Sequence, residues 1–321
     1  MPYHHYVSAF HLAQFTAEPE RGRDAGIYQF DLRARRRFST PVNRAGGEGA
    51  YNAVAGVPGI RPESVEEHLG RRYEDPAVPV LRALTSTYAR PSEAELHSLL
   101  EYFALLSANN PSRRGAMNDG QERGLYFMAL QMLASPDTFA AAQAGCRRDG
   151  VPVLGDVSYD ELRAITAGGS LTYQIPTEAH VRGLEHLIEQ VARLLRARTW
   201  SLIVAPPDIA EFICGDHPVV IGWTVERQRE MEAASRGGPV FPPGFASEDT
   251  EVVVPLSRRT ALLGVFGGVA GIARADRRMV AEVNGRMVRT ASRFVYSAEP
   301  TFIFNNGAST ILESSVLVTV A

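Results

Sequence analysis

The chain has 321 residues, 45% of them hydrophobic and 21% charged, with a net charge of −3 and a pI near 6.3. That length supports a sizeable core in one large domain or two intimate ones, and the mildly acidic balance disfavours a broad nucleic-acid-binding surface. All 33 basic residues are Arg, which excludes chemistry that needs a Lys, such as a pyridoxal phosphate Schiff base or a P-loop.

No apolar run reaches the roughly 18 residues of a membrane span. The opening residues lack the basic-then-apolar order of a signal peptide. Cys146 and Cys214 stand in no metal-type spacing and read as reduced thiols, so a cytoplasmic protein without a membrane span is expected.

In chain order, Ile27, Phe30 and Leu32 followed by Phe38 bracket an Arg-rich turn and predict a β-hairpin. Residues 40–62 are rich in Gly, Pro, Ala and Asn and read as a loop. Val65, Leu69, Tyr73, Val80, Leu81 and Leu84 predict a helix from about Pro62 to Tyr88, kinked or divided at Pro76 or Pro79. Ser92 with Glu95 forms a capping box for a helix to about Ala108. Further helices are expected from Asp119 to Leu133, after Ser135 with Gly150 just past the end, and after the Ser158–Glu161 capping box up to Gly168–Gly169. Thr177 to Arg198 carries the clearest amphipathic pattern.

The second half switches to the strand period. Trp200 to Ala205, Glu211 to Cys214 and Val219 to Trp223 read as short strands, and residues 224–250 as a polar excursion suited to a mobile lid. Glu251 to Leu256 and Thr260 to Phe266 predict a hairpin, and the Gly-rich run 266–271 a loop. Arg277 to Arg293 predicts a helix, and Phe294 to Tyr296, Phe302 to Phe304 and Val316 to Val320 late strands. The expected class is α+β, with a helix-rich N-terminal half after an initial β-hairpin and a mainly antiparallel β C-terminal half. Residues 1–321 read as a single domain, with 1–198 mainly helical and 199–321 mainly β as its natural subdivision.

The stretch His4-His5-Tyr6-Val7-Ser8-Ala9-Phe10-His11-Leu12-Ala13-Gln14-Phe15 resembles the opening box of a bacterial family catalogued as domain of unknown function 4238. That box usually reads His-His-Tyr-Val-Pro, so Ser8 stands in the place of a Pro. Gly26-Ile27-Tyr28-Gln29-Phe30-Asp31 resembles the family's first strand, Pro41-Val42-Asn43 with Tyr51 its next loop, and Glu66 or Glu67, then Glu74, its paired-Glu helix. Cys214-Gly215-Asp216-His217-Pro218-Val219 resembles its Ser-Asp-x-Pro box, Val254-Pro255-Leu256-Ser257 a later strand, and Val283-Asn284 with Ala291 and Tyr296 its last helix. The resemblance spans nearly the whole chain and implies no particular activity.

Adjacent His side chains point to opposite faces of an extended segment, so one of His4 and His5 enters a given site, and one is expected to be buried against the strand-rich half. Glu67 and Glu74 are seven apart, two α-helical turns, and are expected to share a face. Asp216 ends a strand before a Pro, where a rigid scaffold can present a site residue. His4, His5, Glu67, Glu74 and Asp216 brought together would hold a divalent metal of open identity, with Asp216 and Glu74 as catalytic carboxylates. The expected function is a metal-dependent enzyme acting on a small polar substrate, hydrolytic by metal-activated water. The alternatives are a carboxylate/histidine iron oxygenase and a non-enzymatic binding or defence-associated module. Each residue also has a plain structural explanation: surface pairing of the Glu residues with Arg61, Arg71 and Arg72, and backbone hydrogen bonding by Asp216.

Overall fold

The computed structural model describes residues 3–54, 61–150, 157–168, 177–234, 242–307 and 310–319. It divides into two compact units, Met1–Ser112 with Thr177–Ala321, and Arg113–Pro176.

In the first unit the expected hairpin forms from Gly26–Asp31 and Arg36–Pro41, paired antiparallel from Gly26↔Pro41 to Asp31↔Arg36. Asp31 Oδ1 accepts the Ala34 N–H at 3.0 Å and closes the Arg-rich turn. Phe294–Ser297 adds to the other side of Gly26–Asp31, and Cys214–Gly215 completes this four-stranded antiparallel sheet. A five-stranded sheet runs in the order Ile272–Arg274, Thr199–Val204, Thr260–Val265, Thr250–Pro255, Val220–Trp223, antiparallel except for its first pair. This sheet is apolar on both faces. Ile203, Val253 and Ala261 join one core cluster, whereas their chain neighbours Leu202, Val252, Val254 and Leu262 join the other. The strand period of two puts successive residues on opposite faces, which is why these strands read as nearly continuous apolar runs.

The Glu93–Ala108 and Leu184–Arg196 helices pack together on one face of that sheet and fill the second cluster with Leu99, Tyr102, Phe103, Ile188 and Leu195. The capping box is present: Ser92 Oγ accepts the Glu95 N–H, and Glu95 Oε2 accepts the Ser92 N–H at 2.8 Å. The long amphipathic segment is two helices, Thr177–Arg182 and Leu184–Arg196, separated at Gly183. The expected 62–88 helix is Ser64–Leu69, a π-helical turn over Gly70–Glu74, and Asp75–Ser86.

Other departures have local causes. Strand Glu211 to Cys214 shrinks to Cys214–Gly215, because Phe212 N–H donates to Arg258 O and Ile213 N–H to Asn284 Oδ1 instead of to a ladder. The expected polar excursion begins with a helix, Val225–Ala234, and its residues 235–241 lie outside the described residues, as do 55–60 of the expected 40–62 loop. Near the C-terminus Ile311–Glu313 pairs with Ile303–Asn305, and Ser314–Leu317 is a 3-10 turn rather than the start of a strand. Residue 320, the end of that expected strand, and Gly169 are likewise outside the described residues.

The second unit carries all but the first two residues of the Pro111–Met132 helix, and the helices Pro136–Arg148 and Tyr159–Ala167. The first starts earlier than its apolar pattern suggests, with Pro in its first turn, where a missing N–H costs nothing. Ser135 and Ser158 cap the other two as expected, the latter with Glu161 in a capping box. Tyr159 donates to Leu133 O at 3.1 Å and ties the third helix to the first. Among the described residues no helix is long and apolar enough to cross a membrane.

Candidate functional site

The His-His segment is held by a short strand pair. Tyr3–His5 runs antiparallel to Gly47–Gly49, with His4 opposite Glu48 and His5 opposite Gly47. Gly46 O then accepts the N–H groups of Tyr6 and Val7 at 2.9 and 3.0 Å, so one carbonyl turns the chain toward Ser8. Gly46 has φ +64°, and a Cβ there would lie 2.5 Å from a Leu12 methyl and 2.9 Å from Val7 O. Gly46→Ala is therefore expected to lose at least about 2 kcal/mol, from left-handed backbone strain plus the backbone clash. Chemical denaturation measures it, and an unchanged midpoint counts against this account of the turn.

The period of the strand sorts the two imidazoles as expected. His4 is buried, 2% exposed, and its Nδ1 accepts the Asn52 N–H at 2.9 Å. His5 is half-buried, and its backbone N–H donates to Glu66 Oε1 at 3.2 Å. The second Glu66 oxygen accepts the Asn52 Nδ2 amide at 2.7 Å. Glu66 thus ties together the opening strand and the Asn52 turn.

The π turn decides which carboxylates meet. Asp75 N–H donates to Gly70 O, five residues back. Pro76 follows at once, and a proline ring clashes with the carbonyl four residues before it, which favours a wider turn. A π turn holds one residue more than an α turn. Residues eight apart across it consequently share the face that residues seven apart share in a regular helix. Glu66 and Glu74, not Glu67 and Glu74, line the same cavity.

That cavity encloses about 540 Å³ and is lined by His5, Ser8, Phe10, Gln14, Arg23, Glu66, Glu74, Asp75 and Arg82, with Ala9, Ala13, Val78 and Leu81 among its apolar parts. Ser8 donates its hydroxyl to Glu74 Oε1 at 2.6 Å. Burial pushes the Glu74 carboxyl up to about 7, with the charges of Glu66 and Asp75 adding and the Ser8 hydrogen bond and Arg23 opposing. The residue as a whole is half-buried, its carboxyl end being the enclosed part. His5 moves the other way, to about 4, through burial and the nearby Arg23 charge, so its ring is neutral near pH 7. Arg23 acts on both groups and forms no ion pair among the described residues. A protonatable carboxyl, a neutral imidazole and an unpaired guanidinium in one concavity suit proton transfer to a polar ligand.

The other sequence candidates lie elsewhere. Glu67 faces Arg61 and Arg71 at 2.6 and 3.4 Å on the exposed side of the helix. Asp216, 1% exposed, accepts the Ser292 N–H on Oδ1 at 2.8 Å and the N–H groups of Arg293 and Phe294 on Oδ2 at 2.7 and 2.8 Å. It is a buried clamp between the Cys214–Gly215 edge and the chain entering Phe294–Ser297, and no part of the cavity lining. Burial raises its carboxyl, against the pull of those three donors. Among the described residues no three His, Cys, Asp or Glu side chains are grouped to hold a metal. Both Glu66 oxygens, His4 Nδ1, Glu67 and Asp216 have hydrogen-bond or ion-pair partners within the protein. Ser8 and Arg23 were not legible as site residues: Ser8 stands in the opening box only where a Pro is usual, Arg23 belongs to no motif, and only the fold brings them to the Glu74 cavity.

No match to a curated protein or to a solved structure is found. Residues 3–301 match the family described as protein of unknown function, DUF4238, a span that includes the His-His segment, the Glu66–Glu74 helix and the Asp216 clamp; the chain belongs to that family.

Proposed function

We propose that the chain is an enzyme acting on a small polar substrate in this cavity, with Glu74 as its general acid and base and hydrolysis as the reaction. The observation that carries the reading is the 2.6 Å contact from Ser8 Oγ to Glu74 Oε1 in the wall of a partly open cavity of about 540 Å³ with polar and apolar walls. A carboxyl that titrates near neutrality exchanges a proton in both directions at working pH, and Glu74 is pushed to about 7. In hydrolysis the Glu74 carboxylate accepts the proton of a water attacking the substrate carbonyl or phosphoryl centre, then returns it to the leaving group. Arg23 meets the negative charge that builds on the substrate. The Ser8 hydroxyl orients Glu74 rather than attacking, in keeping with the family resemblance, which places Pro there. Neutral His5 supplies hydrogen bonding without charge.

The test is hydrolysis of a panel of small esters, amides and phosphomonoesters by the full chain and by Glu74→Gln. Wild-type turns over at least one member, and the folded variant loses at least about 100-fold of that activity. No turnover by folded wild-type protein, or equal turnover by the variant, overturns the reading. Activity is expected to survive dialysis against a chelator. Chelator-sensitive turnover restored by a divalent metal would instead favour metal-activated water, and oxygen consumption with iron would favour the oxygenase reading.

A further inference from the structure

Four charged side chains line the cavity without a partner in the protein. Asp75 and Arg82 come from the Asp75–Ser86 helix, Glu20 and Arg23 from the 3-10 segment Pro19–Asp24. Among the described residues none of these four side chains forms an ion pair or a hydrogen bond. The other two carboxylates of the wall are engaged, Glu66 with two donors and Glu74 with Ser8.

The chain geometry holds the four charges apart. Asp75 and Arg82 are seven residues apart, two α-helical turns, so they share the cavity face of their helix. They lie roughly 10 Å apart along its axis, well beyond the three- or four-residue spacing at which helix side chains pair. In the other segment Gly22 has φ +57° and ψ −122°, a conformation suited to Gly, and a Cβ there would meet nothing within 4 Å. The course of the chain, rather than lack of space, therefore calls for Gly at this position. It turns Arg23 to the cavity, where its charge acts on Glu74 and His5.

Opposite charges left apart in one concavity match a ligand that carries both signs. A neutral ligand would cover four charges without pairing them. A simple anion would meet Glu20 and Asp75, and a simple cation would meet Arg23 and Arg82. We propose that the cavity selects a small zwitterion, with Arg82 as the partner of its carboxylate or phosphate and Asp75 as the partner of its ammonium group. Glu20 adds to the negative side, and Arg23 stays with the charge that develops at the reacting centre. Asp75 is one of the charges that hold the proton on Glu74. An ammonium group beside Asp75 relieves that repulsion and leaves Glu74 readier to accept the proton of the attacking water. The inference rests on the reading of this cavity as the substrate site and names the class of substrate.

The experiment is calorimetric titration of the full chain carrying Glu74→Gln, so that no probe turns over. The probes are glycylglycine and its three blocked forms: N-acetylglycylglycine keeps only the negative charge, glycylglycinamide only the positive one, and N-acetylglycylglycinamide neither. 2-Aminoethyl phosphate is a second zwitterion, with a phosphate as its anionic group. At least one zwitterion is expected to bind about fivefold or more tightly than every singly charged or neutral probe, and the better of the two identifies the anionic group. Arg82 and Asp75 are both exposed, so their variants are expected to fold. Arg82→Gln weakens zwitterion binding by roughly two- to fivefold, the worth of one exposed ion pair, and leaves glycylglycinamide unchanged. Asp75→Asn weakens it by a similar factor and leaves N-acetylglycylglycine unchanged. Equal binding of all probes, no binding of either zwitterion, or a loss that ignores the sign of the probe overturns the proposal. The two readings fail separately. Zwitterion selectivity without turnover by wild-type protein removes the hydrolase alone, whereas turnover of neutral esters without that selectivity removes the zwitterion site alone.

Discussion

Glu74→Gln is expected to make the folded protein more stable at pH 8.5 while abolishing its chemistry. The Glu74 carboxyl sits at about 7 in the fold, against an ordinary value of 4.5, so the native state binds the extra proton between those values. A raised value of this kind contributes stability that is complete below the unfolded-chain value and is lost as pH rises through the folded one. Gln keeps the shape and a hydrogen bond to Ser8 but has no charge to desolvate. Relative to wild type, the variant should therefore gain between about 1 and 3 kcal/mol on going from pH 4.5 to pH 8.5. The upper figure is the full linkage value, and the lower one allows for the part of Glu74 that reaches solvent. Urea unfolding at the two pH values measures the difference. A stability gap that does not change with pH would show that Glu74 titrates as an ordinary surface carboxyl.

Asp216→Asn should have the opposite character. Each carboxylate oxygen accepts from the backbone, at Ser292 on one side and at Arg293 and Phe294 on the other. An amide leaves one oxygen and turns an NH₂ toward N–H donors, so at least one buried backbone group loses its partner. Hydrogen bonds to a buried charge are worth about 1.5–3 kcal/mol each, so a loss of about 3 kcal/mol and a melting temperature lower by roughly 6–12 °C are expected. Below that transition, turnover at the cavity should persist, because Asp216 does not line it. Loss of activity in a variant that melts normally would return Asp216 to the catalytic set.

The two variants mark what the sequence could and could not show. Strands that alternate across a doubly buried sheet, and helices announced by Ser92–Glu95 or Ser158–Glu161, are written in local period and capping, and they stand where expected. Burial of His4 beside half-exposed His5 follows from the strand period of two. The cavity is different. His5 and Glu74 were visible as chemistry-bearing residues, but their company was not. Arg23 comes from an irregular turn after the opening box, and nothing in its local sequence points to Glu74. Asp216 was legible as a constrained residue, yet a carboxylate that organises a turn and one that serves a reaction share the same sequence context. What separates them is where the backbone N–H groups point, a long-range property of the fold.

The wide turn at Gly70–Glu74 has a consequence for the length of this segment. In its effect on the helix faces, it behaves as a one-residue insertion that has been absorbed rather than propagated. Deleting one exposed residue within it, Arg71 or Arg72, would allow an ordinary α-helix to form with Glu66 seven positions before Glu74 and still on the cavity side. The same deletion in Asp75–Ser86 would have no slack to consume, and would swing Val80, Leu81 and Leu84 out of the core. The paired carboxylates can thus be encoded at either of two spacings, and it is the hydrogen-bond class of a single turn, not the residue count, that says which Glu faces the cavity.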